Sequence, residues 1–320
     1  MAKTKVTFII CYFGKFPNYI DLFLRSCSIN TNYNWLIFTD NKQYPHGIAS
    51  NTEFISMEFK DLQARIRKKI NEKCICPTPY KICDYRPAFG TIFSEYLHNS
   101  EYWGFCDLDM LFGNLDKYLS GPIADKYDAI YNHGHLTLMH NIPEVNKAFM
   151  LPFSGIEYKY VFSHKASFGF DEKRGINQIL KEYGFNTYQE DTFADIYPPE
   201  ISIPLKLINK INYADQIFTW EEGKICRIIQ SNNEQTEYSY IHLQKRPFTR
   251  HNPDLLKVKS FYIHPFSFDE KKTDHLSLTQ GQIKTIKKSK IKNLRSSLIY
   301  KYHLVINWIL YNKKPVKRQY

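Results

Sequence analysis

The spacing of apolar residues over the first 110 positions predicts alternating strands and helices. Short apolar runs, typical of buried strands, cover residues 6–12, 35–38, 54–57 and 102–106. Between them, apolar residues recur at three- to four-residue spacing in 18–28, 61–73 and 86–97, which predicts three helices. Strands that alternate with helices favour an α/β fold with a mostly parallel sheet and helices on its faces.

The second half of the chain has a less regular pattern. We expect strands at 128–131, 136–139, 239–243 and 258–263, and a helix at 172–183. There is no internal repeat and no long Gly/Ser linker, and composition changes sharply only near residue 280. We therefore predict a single α/β domain over residues 1–280 and a separate tail over 281–320.

Polar residues follow three of the predicted strands at their carboxyl ends. Tyr12 and Phe13 end the first strand, Asp40 follows the second, and Asp107 and Asp109 follow the run at 102–106. Because ligands in open α/β sheets bind beyond the carboxyl ends of the strands, these segments should meet at one crevice.

Charge separates the tail from the rest of the chain. The net charge is +11, and residues 281–320 hold 11 Lys and Arg residues but no Asp or Glu. The first 280 residues are thus neutral overall, which argues against a nucleic-acid-binding domain, whose folded face is usually basic. The seven cysteines, several within apolar runs, suit reduced and buried thiols in a cytosolic protein.

Two carboxylates at the end of a buried strand carry the main chemical signal. Asp107 and Asp109 form a DxD pattern whose side chains can both reach one divalent cation, and such a cation can stabilise a departing nucleoside diphosphate. Carboxylates within an apolar run cost several kcal/mol unless a charge or metal compensates them. The alternative is a turn or helix cap, in which the carboxylates accept backbone N–H bonds.

The segments around this pattern resemble a known family. Residues 80–90 (YKICDYRPAFG), 102–109 (YWGFCDLD) and 112–115 (FGNL) resemble bacterial GT-A glycosyltransferases of capsule and O-antigen polysaccharide synthesis. The resemblance covers about residues 5–265 and is strongest over 80–140. It implies a Rossmann-like GT-A fold, a nucleotide-binding half at about 1–130 and an acceptor-binding half at about 131–280.

The resemblance also implies roles for individual residues on the donor side. Asp107 and Asp109 would bind Mn²⁺ or Mg²⁺, and Arg86 would lie near the first carboxylate and the donor. Arg86 is equally consistent with a surface position, and Asp84 either contacts the base or ribose or caps its helix. Tyr12, Phe13 and Asp40 are placed at the nucleoside by topology and resemblance.

A second informative stretch is Tyr240-Ile241-His242-Leu243-Gln244-Lys245-Arg246, a predicted strand that ends in an imidazole and two cations. GT-A enzymes often use a late histidine as a third metal ligand, so the resemblance makes His242 a candidate for that role. Lys245 and Arg246 are candidates to hold the oxygens of the diphosphate.

Two further segments resemble the acceptor side of the family. Asp171 or Glu172 would deprotonate the acceptor hydroxyl in an inverting transfer, although the same acids are typical of a helix N-terminus. His133 and His135 lie in a loop expected near the donor sugar or acceptor. They lack a nearby carboxylate that would make them a second metal site.

The tail has a pattern of its own. Apolar residues recur at three to four positions while lysines fill the other faces, which predicts a basic amphipathic helix on an anionic membrane surface; the apolar positions are Ile291, Leu294, Leu298, Tyr302, Val305 and Ile309. A helix packed on the domain is the alternative. No run reaches the roughly 20 apolar residues of a membrane span, and no secretory signal is recognised. We expect a peripheral protein on the inner face of the cell membrane.

The resemblance implies a UDP-sugar donor. Together with the residues above, it predicts an enzyme that moves a sugar from a UDP-sugar to a glycan acceptor, which we expect to be lipid-linked, with no nucleic-acid partner. The alternative from another class is a membrane- or nucleic-acid-associated binding protein with a degenerate GT-A site. A metal-dependent phosphohydrolase would need more carboxylates or histidines around the metal than the sequence offers.

Overall fold

A computed structural model gives the structure of the protein and describes residues 6–197, 205–246, 248, 253–270 and 302. Its strands, in chain order, are β1 (Val6–Cys11), β2 (Tyr33–Thr39), β3 (Thr52–Ser56), β4 (Tyr102–Cys106), β5 (Met110–Phe112), β6 (Ala129–His133), β7 (Leu136–His140), β8 (Thr187–Tyr188), β9 (Ala194–Asp195), β10 (Gln216–Glu221), β11 (Lys224–Ile229), β12 (Glu234–Tyr238), β13 (Tyr240–His242), β14 (Ser260–Ile263) and β15 (Phe268–Asp269).

The helices are α1 (Ile20–Ser28), α2 (Phe59–Lys69), α3 (Phe89–Ile92), α4 (Leu115–Ala124), α5 (Pro143–Asn146), α6 (Tyr158–Ser163) and α7 (Ile176–Glu182). Among the described residues, four 3₁₀ helices cover Pro79–Ala88, Ser94–Tyr96, Ala148–Met150 and Pro253–Leu256.

The largest sheet has seven strands in the order β3-β2-β1-β4-β7-β6-β8. The first four strands of that order are parallel, β7 is antiparallel to both β4 and β6, and β8 is parallel to β6. Helices flank this sheet, so the predicted α/β class with a mostly parallel sheet is confirmed, and the architecture is compatible with a Rossmann-like fold.

Alternate residues of the central strands supply two separate apolar cores, one on each face of the large sheet. Ile9 of β1 belongs to the core that includes residues of α2 and α7, whereas Phe8 and Ile10 belong to the core that includes residues of α1 and α4. A strand buried on both faces has to be apolar at every position, which explains the continuous apolar run in β1.

Two smaller sheets complete the described fold. Strands β12-β11-β10-β14-β15 form an antiparallel sheet, and β5-β13-β9 form a sheet of three strands. In the latter, β13 is antiparallel to β5 and parallel to β9, with His242 opposite both Met110 and Asp195. Chain segments more than 100 residues apart therefore meet directly beside Asp107 and Asp109.

Several sequence-based expectations differ from the structure. The helix expected at 86–97 is broken into the end of a 3₁₀ helix, the four-residue α3 and a 3₁₀ turn, because Pro87 lacks an N–H and interrupts regular bonding. The helix expected at 172–183 begins only at Ile176. The boundary expected near residue 130 falls within β6, a strand of the large sheet, and the division into a nucleotide-binding and an acceptor-binding half stays a prediction.

The predicted tail at 281–320 lies outside the described residues except for residue 302. Within the described part of the chain, no helix combines the length and the apolar character that a membrane span requires. All seven cysteines are among the described residues and are free thiols; four of them are buried, whereas Cys11, Cys83 and Cys226 are only partly buried.

Candidate functional site

Asp107 and Asp109 lie where the chain passes from the large sheet to the three-stranded sheet. β4 ends at Cys106 and β5 begins at Met110, so the two aspartates form the link. The N–H of Asp107 donates to the carbonyl of His135 at 2.9 Å, and the carbonyl of Asp109 accepts from the N–H of Leu243 at 2.8 Å. Backbone bonds to two neighbouring segments thus fix the position of both carboxylates.

His242 lies opposite these carboxylates at the end of β13. Its Nε2 is 3.6 Å from Oδ1 of Asp109 and 3.8 Å from Oδ2 of Asp107. One ligand atom from each of these three residues lies within 4.8 Å of the others. We call Asp107, Asp109 and His242 the DxD–His cluster; the three residues predicted as metal ligands are therefore adjacent in space.

Electrostatics in the DxD–His cluster favour a positive charge. Burial opposes the charged form of His242, but the charges and hydrogen bonds of Asp109 and Asp195, with a contribution from Asp107, raise its pKa to about 10. Burial likewise opposes ionisation of Asp109, yet His242 and Lys245 lower the pKa of Asp109. The carboxylates thus hold a proton on His242 at a position where a metal cation would supply the same charge.

Arg86 joins the DxD–His cluster to the segment expected on the acceptor side. Its guanidinium forms an ion pair with Oδ1 of Asp107 and a second with Oδ2 of Asp171 at 3.1 Å, and it also donates to the carbonyl of Gly134. The Cζ atom of the guanidinium lies over the ring of Phe105, 5.5 Å from its centre. The predicted proximity of Arg86 to the first carboxylate is confirmed. The alternative, in which Arg86 lies free on the surface, does not hold because both of its ion pairs are within the site.

Asp171 and Glu172, which the sequence did not separate, differ in environment. Asp171 is buried and tied to Arg86, and burial raises its pKa well above the usual range although Arg86 opposes this. Glu172 is exposed, and its carboxylate lies against Gly134, within 2.6 Å of where a Cβ would be. Partial desolvation raises the pKa of Glu172 as well, and the charge of Arg86 again acts to lower it.

The alternative explanation of these two acids as a helix cap is not supported. α7 begins at Ile176, and its N-cap is Gly175, which makes no side-chain cap bond. Asp171 and Glu172 lie in the preceding turn, where the carbonyl of Glu172 accepts from the N–H of Gly175 at 3.1 Å. Neither carboxylate is at a position that caps α7.

Lys245 approaches the DxD–His cluster through its backbone. Its N–H donates to Oδ2 of Asp109, and its ammonium lies 5.3 Å from the ring centre of Tyr80, a largely exposed tyrosine. Desolvation lowers the pKa of Lys245, but the charges of Asp107 and Asp109 raise it more, so the pKa of Lys245 is raised overall. Gln244 and Lys245 both have a φ of 54°, a left-handed backbone that is uncommon outside glycine and that turns the chain back over Asp109.

Arg246 and Asp84 are both buried and make contacts within the protein; the predicted contact of Arg246 with the diphosphate stays a prediction. Arg246 is buried; it donates to the carbonyl of Tyr197 at 2.6 Å and packs over Phe266. Asp84 is fully buried and pairs with the equally buried Lys81 at 2.7 Å.

Both oxygens of Asp84 are engaged. They accept from the N–H groups of Phe168 and Phe170 at 2.9–3.1 Å, in addition to the ion pair with Lys81. The ammonium of Lys81 also donates to the carbonyls of Val161 and Ala166. We therefore assign Asp84 to the support of the 168–170 turn that precedes Asp171, and correct its predicted contact with the nucleotide.

His133 and His135 form a stack with His242. The rings of His133 and His135 are 5.3 Å apart and nearly parallel, and His135 lies 4.4 Å from His242. Burial lowers the pKa of His133 and, more strongly, that of His135, so both rings are neutral beside the charged cluster. The Nε2 atom of His135 is 3.1 Å from the Tyr240 hydroxyl.

A strained bulge in β6 precedes this pair of histidines. Tyr131 and Asn132 have φ values of 67° and 58°, and the pairing with β7 shifts between residues 130 and 133. Such strain in non-glycine residues is found often at functional sites, where it re-aims side chains. Here it places His133 and His135 on the same side of the chain as the DxD–His cluster.

The residues predicted at the nucleoside lie at the adjacent strand ends. The hydroxyl of Tyr12 donates to the carbonyl of Lys15, and Phe13 packs edge-on against Phe59. Asp40 accepts from the N–H of Gly14 at 2.8 Å, which ties the loop after β1 to the loop after β2. Burial, with a contribution from the charge of Asp109, raises the pKa of Tyr12.

The sequence analysis missed one acidic residue at the site, Asp195. It accepts from Nδ1 of His242 at 2.9 Å and from Nε2 of Gln244 at 2.7 Å. Asp195 lies in the two-residue strand β9, and no pattern in the sequence indicated that this strand pairs with β13. The only available signal was its acidic character within a short apolar stretch.

Comparison with known proteins relates the chain to one family. Residues 8–272 match the profile of a family described as a family of unknown function, DUF6625, and a comparison with curated proteins gave no match. The matched span holds most of the chain and every described residue of the site. The chain therefore belongs to the DUF6625 family.

Proposed function

We propose that the protein is a metal-dependent glycosyltransferase of the GT-A type that transfers a sugar from a UDP-sugar to a glycan acceptor, with inversion at the transferred carbon. The observation that carries the proposal is the DxD–His cluster, placed where β4 leaves the mostly parallel sheet, with basic side chains and an exposed acid around it. Ligands of open α/β sheets bind at this end of the strands.

The residues of the DxD–His cluster fit a divalent cation. Two carboxylates and one imidazole, with ligand atoms within 4.8 Å of one another, supply an oxygen-rich set that suits Mn²⁺ or Mg²⁺. The side chain of Asp107 retains 20% exposure, which leaves one side open to diphosphate oxygens. Bound there, the cation would neutralise charge that develops on the departing diphosphate.

Basic side chains near the cluster would hold the diphosphate. Lys245 is exposed, and its backbone is fixed by Asp109, so its ammonium can turn toward phosphate oxygens beside the cation. Arg86 is held by two carboxylates and would act mainly by holding the carboxylate of Asp107 in place.

Glu172 is the better candidate for the base that takes the proton of the acceptor hydroxyl. Its side chain is exposed, whereas Asp171 is buried and paired with Arg86. A base must come within hydrogen-bond reach of the hydroxyl, which the accessible carboxylate can do. Asp171 then serves to orient Arg86 rather than to contact the acceptor.

The sequence of the tail supports a location at the inner face of the cell membrane and a lipid-linked acceptor. Residues 281–320 carry 11 basic and no acidic side chains, and each basic residue near an anionic surface adds about 1 kcal/mol of attraction. This part of the proposal rests on the sequence alone.

The proposal is tested by calorimetric titration of UDP into the full chain with and without Mn²⁺, in the wild type and in Asp109→Ala. We expect UDP to bind only with Mn²⁺, and the variant to lose most of that affinity. Asp125→Ala, which removes an exposed carboxylate at the end of α4, is the control and should bind as the wild type does.

If UDP binds equally well without Mn²⁺ and in Asp109→Ala, the proposed metal-dependent mechanism is wrong. If UDP does not bind under any condition, the UDP-donor proposal is wrong, and the binding-protein alternative with a degenerate site gains support.

A further inference from the structure

Asp195 contacts the imidazole of the DxD–His cluster from the side opposite to the aspartates. The parallel pairing of β9 with β13 places Asp195 directly across from His242, and Oδ1 of Asp195 lies 2.9 Å from Nδ1 of His242. The other ring nitrogen, Nε2, points at Asp107 and Asp109. The two nitrogens of the ring therefore have separate partners, set by strand register.

Two further contacts restrict the His242 ring. Gln244 donates from Nε2 to the same Oδ1 atom of Asp195 at 2.7 Å, which holds the carboxylate in place. The ring of His135 stacks on His242 at 4.4 Å and 21°, which opposes rotation of the imidazole out of its plane. The side chain of Asp195 is only 18% exposed, so water competes weakly for these bonds.

We propose that Asp195 is a positioning residue that directs Nε2 of His242 at the cation site and thereby makes the site favour Mn²⁺ over Mg²⁺. The inference rests on the proposed cation site of the DxD–His cluster. A hydrogen bond at one ring nitrogen fixes which nitrogen offers its lone pair to a metal. A nitrogen ligand suits Mn²⁺ better than Mg²⁺, which takes oxygen ligands and keeps its waters.

The test measures cation affinity without nucleotide, from the loss of the electron paramagnetic resonance signal of free Mn²⁺, with Mg²⁺ as competitor. We expect Asp195→Asn to weaken Mn²⁺ binding by about 10- to 100-fold. Mg²⁺ binding should weaken much less, so that the preference for Mn²⁺ falls. Equal losses for both cations would overturn the inference, since a general distortion of the site affects them alike.

A double-mutant cycle shows whether Asp195 acts through His242. In a His242→Ala background, Asp195→Asn should change Mn²⁺ affinity by less than about 3-fold, because its target is gone. Additive losses would overturn the inference. Gln244→Ala, which removes one bond to Asp195, should give a smaller loss in the same direction and serves if Asp195→Asn fails to fold.

Asp191→Asn is the matched control, since it removes one acid four residues earlier whose side chain is 52% exposed and pairs with Lys210. It should bind both cations as the wild type does. If the wild type binds Mn²⁺ but not UDP, the proposed function fails while the variants still decide the role of Asp195. If the wild type binds no Mn²⁺, both proposals are overturned.

Discussion

Three residues that were grouped from the sequence by their chemistry and by the family resemblance are adjacent in the fold. Asp107 and Asp109 were recognisable because they follow an apolar strand, and His242 because it ends another one. Their meeting depends on the antiparallel pairing of β5 with β13. The positions of Asp84 and Asp195 depended on which side of a turn or short strand faces the interior, and periodicity does not reveal that for elements of two or three residues.

The separation of Glu172 from Asp171 leads to a prediction at the catalytic step. Glu172→Gln should lower the transfer rate by about 100- to 10,000-fold, because the amide does not accept the proton of the acceptor hydroxyl. Metal-dependent UDP binding should persist. In the wild type the rate should rise with pH through the raised pKa of Glu172, since the base acts in its ionised form.

Transfer assays across pH, with UDP titrations in parallel, check this prediction. Asp171→Asn is the comparison, and it should also disturb UDP binding because it frees Arg86 from one partner. Full activity of Glu172→Gln would show that another group takes the proton.

The buried pair of Lys81 and Asp84 gives a prediction about stability. Both side chains are 0% exposed, so Asp84→Asn leaves the ammonium of Lys81 buried without its counter-charge. We expect a loss of about 3–5 kcal/mol in the free energy of unfolding. Urea unfolding of the variant measures it. If the Asp84→Asn variant is as stable as the wild type but does not bind UDP, Asp84 contacts the nucleotide after all.

At the scale of elements, the sequence predicted strands better than helices. Each central strand of the large sheet was expected within about two residues of its place, because both of its faces are apolar. The prediction of one helix at 86–97 was wrong because the spacing of apolar residues does not take account of the missing N–H of Pro87. Most of the five-stranded antiparallel sheet was also missed, since its strands β10, β11 and β12 carry mixed apolar and charged residues.

The strand β4 contains a glycine whose space is occupied by its neighbours. A Cβ on Gly104 would lie 2.5 Å from the backbone oxygen of Thr137 and from Cδ2 of Leu138, both in β7. Gly104→Ala should therefore force β4 and β7 apart and destabilise the protein by about 1–3 kcal/mol.

Gly121→Ala in α4 is the control for this change, because a Cβ there meets nothing within 4 Å. Because Pro122 follows and disfavours the helical conformation of a residue with a Cβ, this offsets the usual gain from Gly to Ala, and stability should stay within about 1 kcal/mol of the wild type. Thermal unfolding of both variants checks the pair. A Gly104→Ala protein as stable as the wild type would show that β7 yields to the added methyl group.

At the scale of the whole molecule, the uneven charge of the chain predicts how it meets a membrane. A full-chain variant with Lys287, Lys288, Lys290 and Lys292 changed to Gln should sediment less with vesicles that contain anionic lipid. Its UDP affinity should be unchanged, because the DxD–His cluster lies in the neutral first 280 residues.

Vesicle sedimentation at low and high salt measures this effect, since screening weakens electrostatic binding. Neutral vesicles are the control. The wild type and the variant should bind to them equally, because these vesicles offer no negative charge to the lysines. Equal binding of both proteins to anionic vesicles would assign the tail to packing on the domain, the alternative that the sequence left open.

The pairing of β5 with β13 has a consequence for protein synthesis. A growing chain presents Asp107 and Asp109 early, but His242 and the strand that carries it are translated some 130 residues later. Until then the nascent polypeptide offers two carboxylates without the imidazole, and β5 has no partner from β13. Competence to capture a cation should therefore appear late in translation, only after the ribosome has released the last strand of the three-stranded sheet.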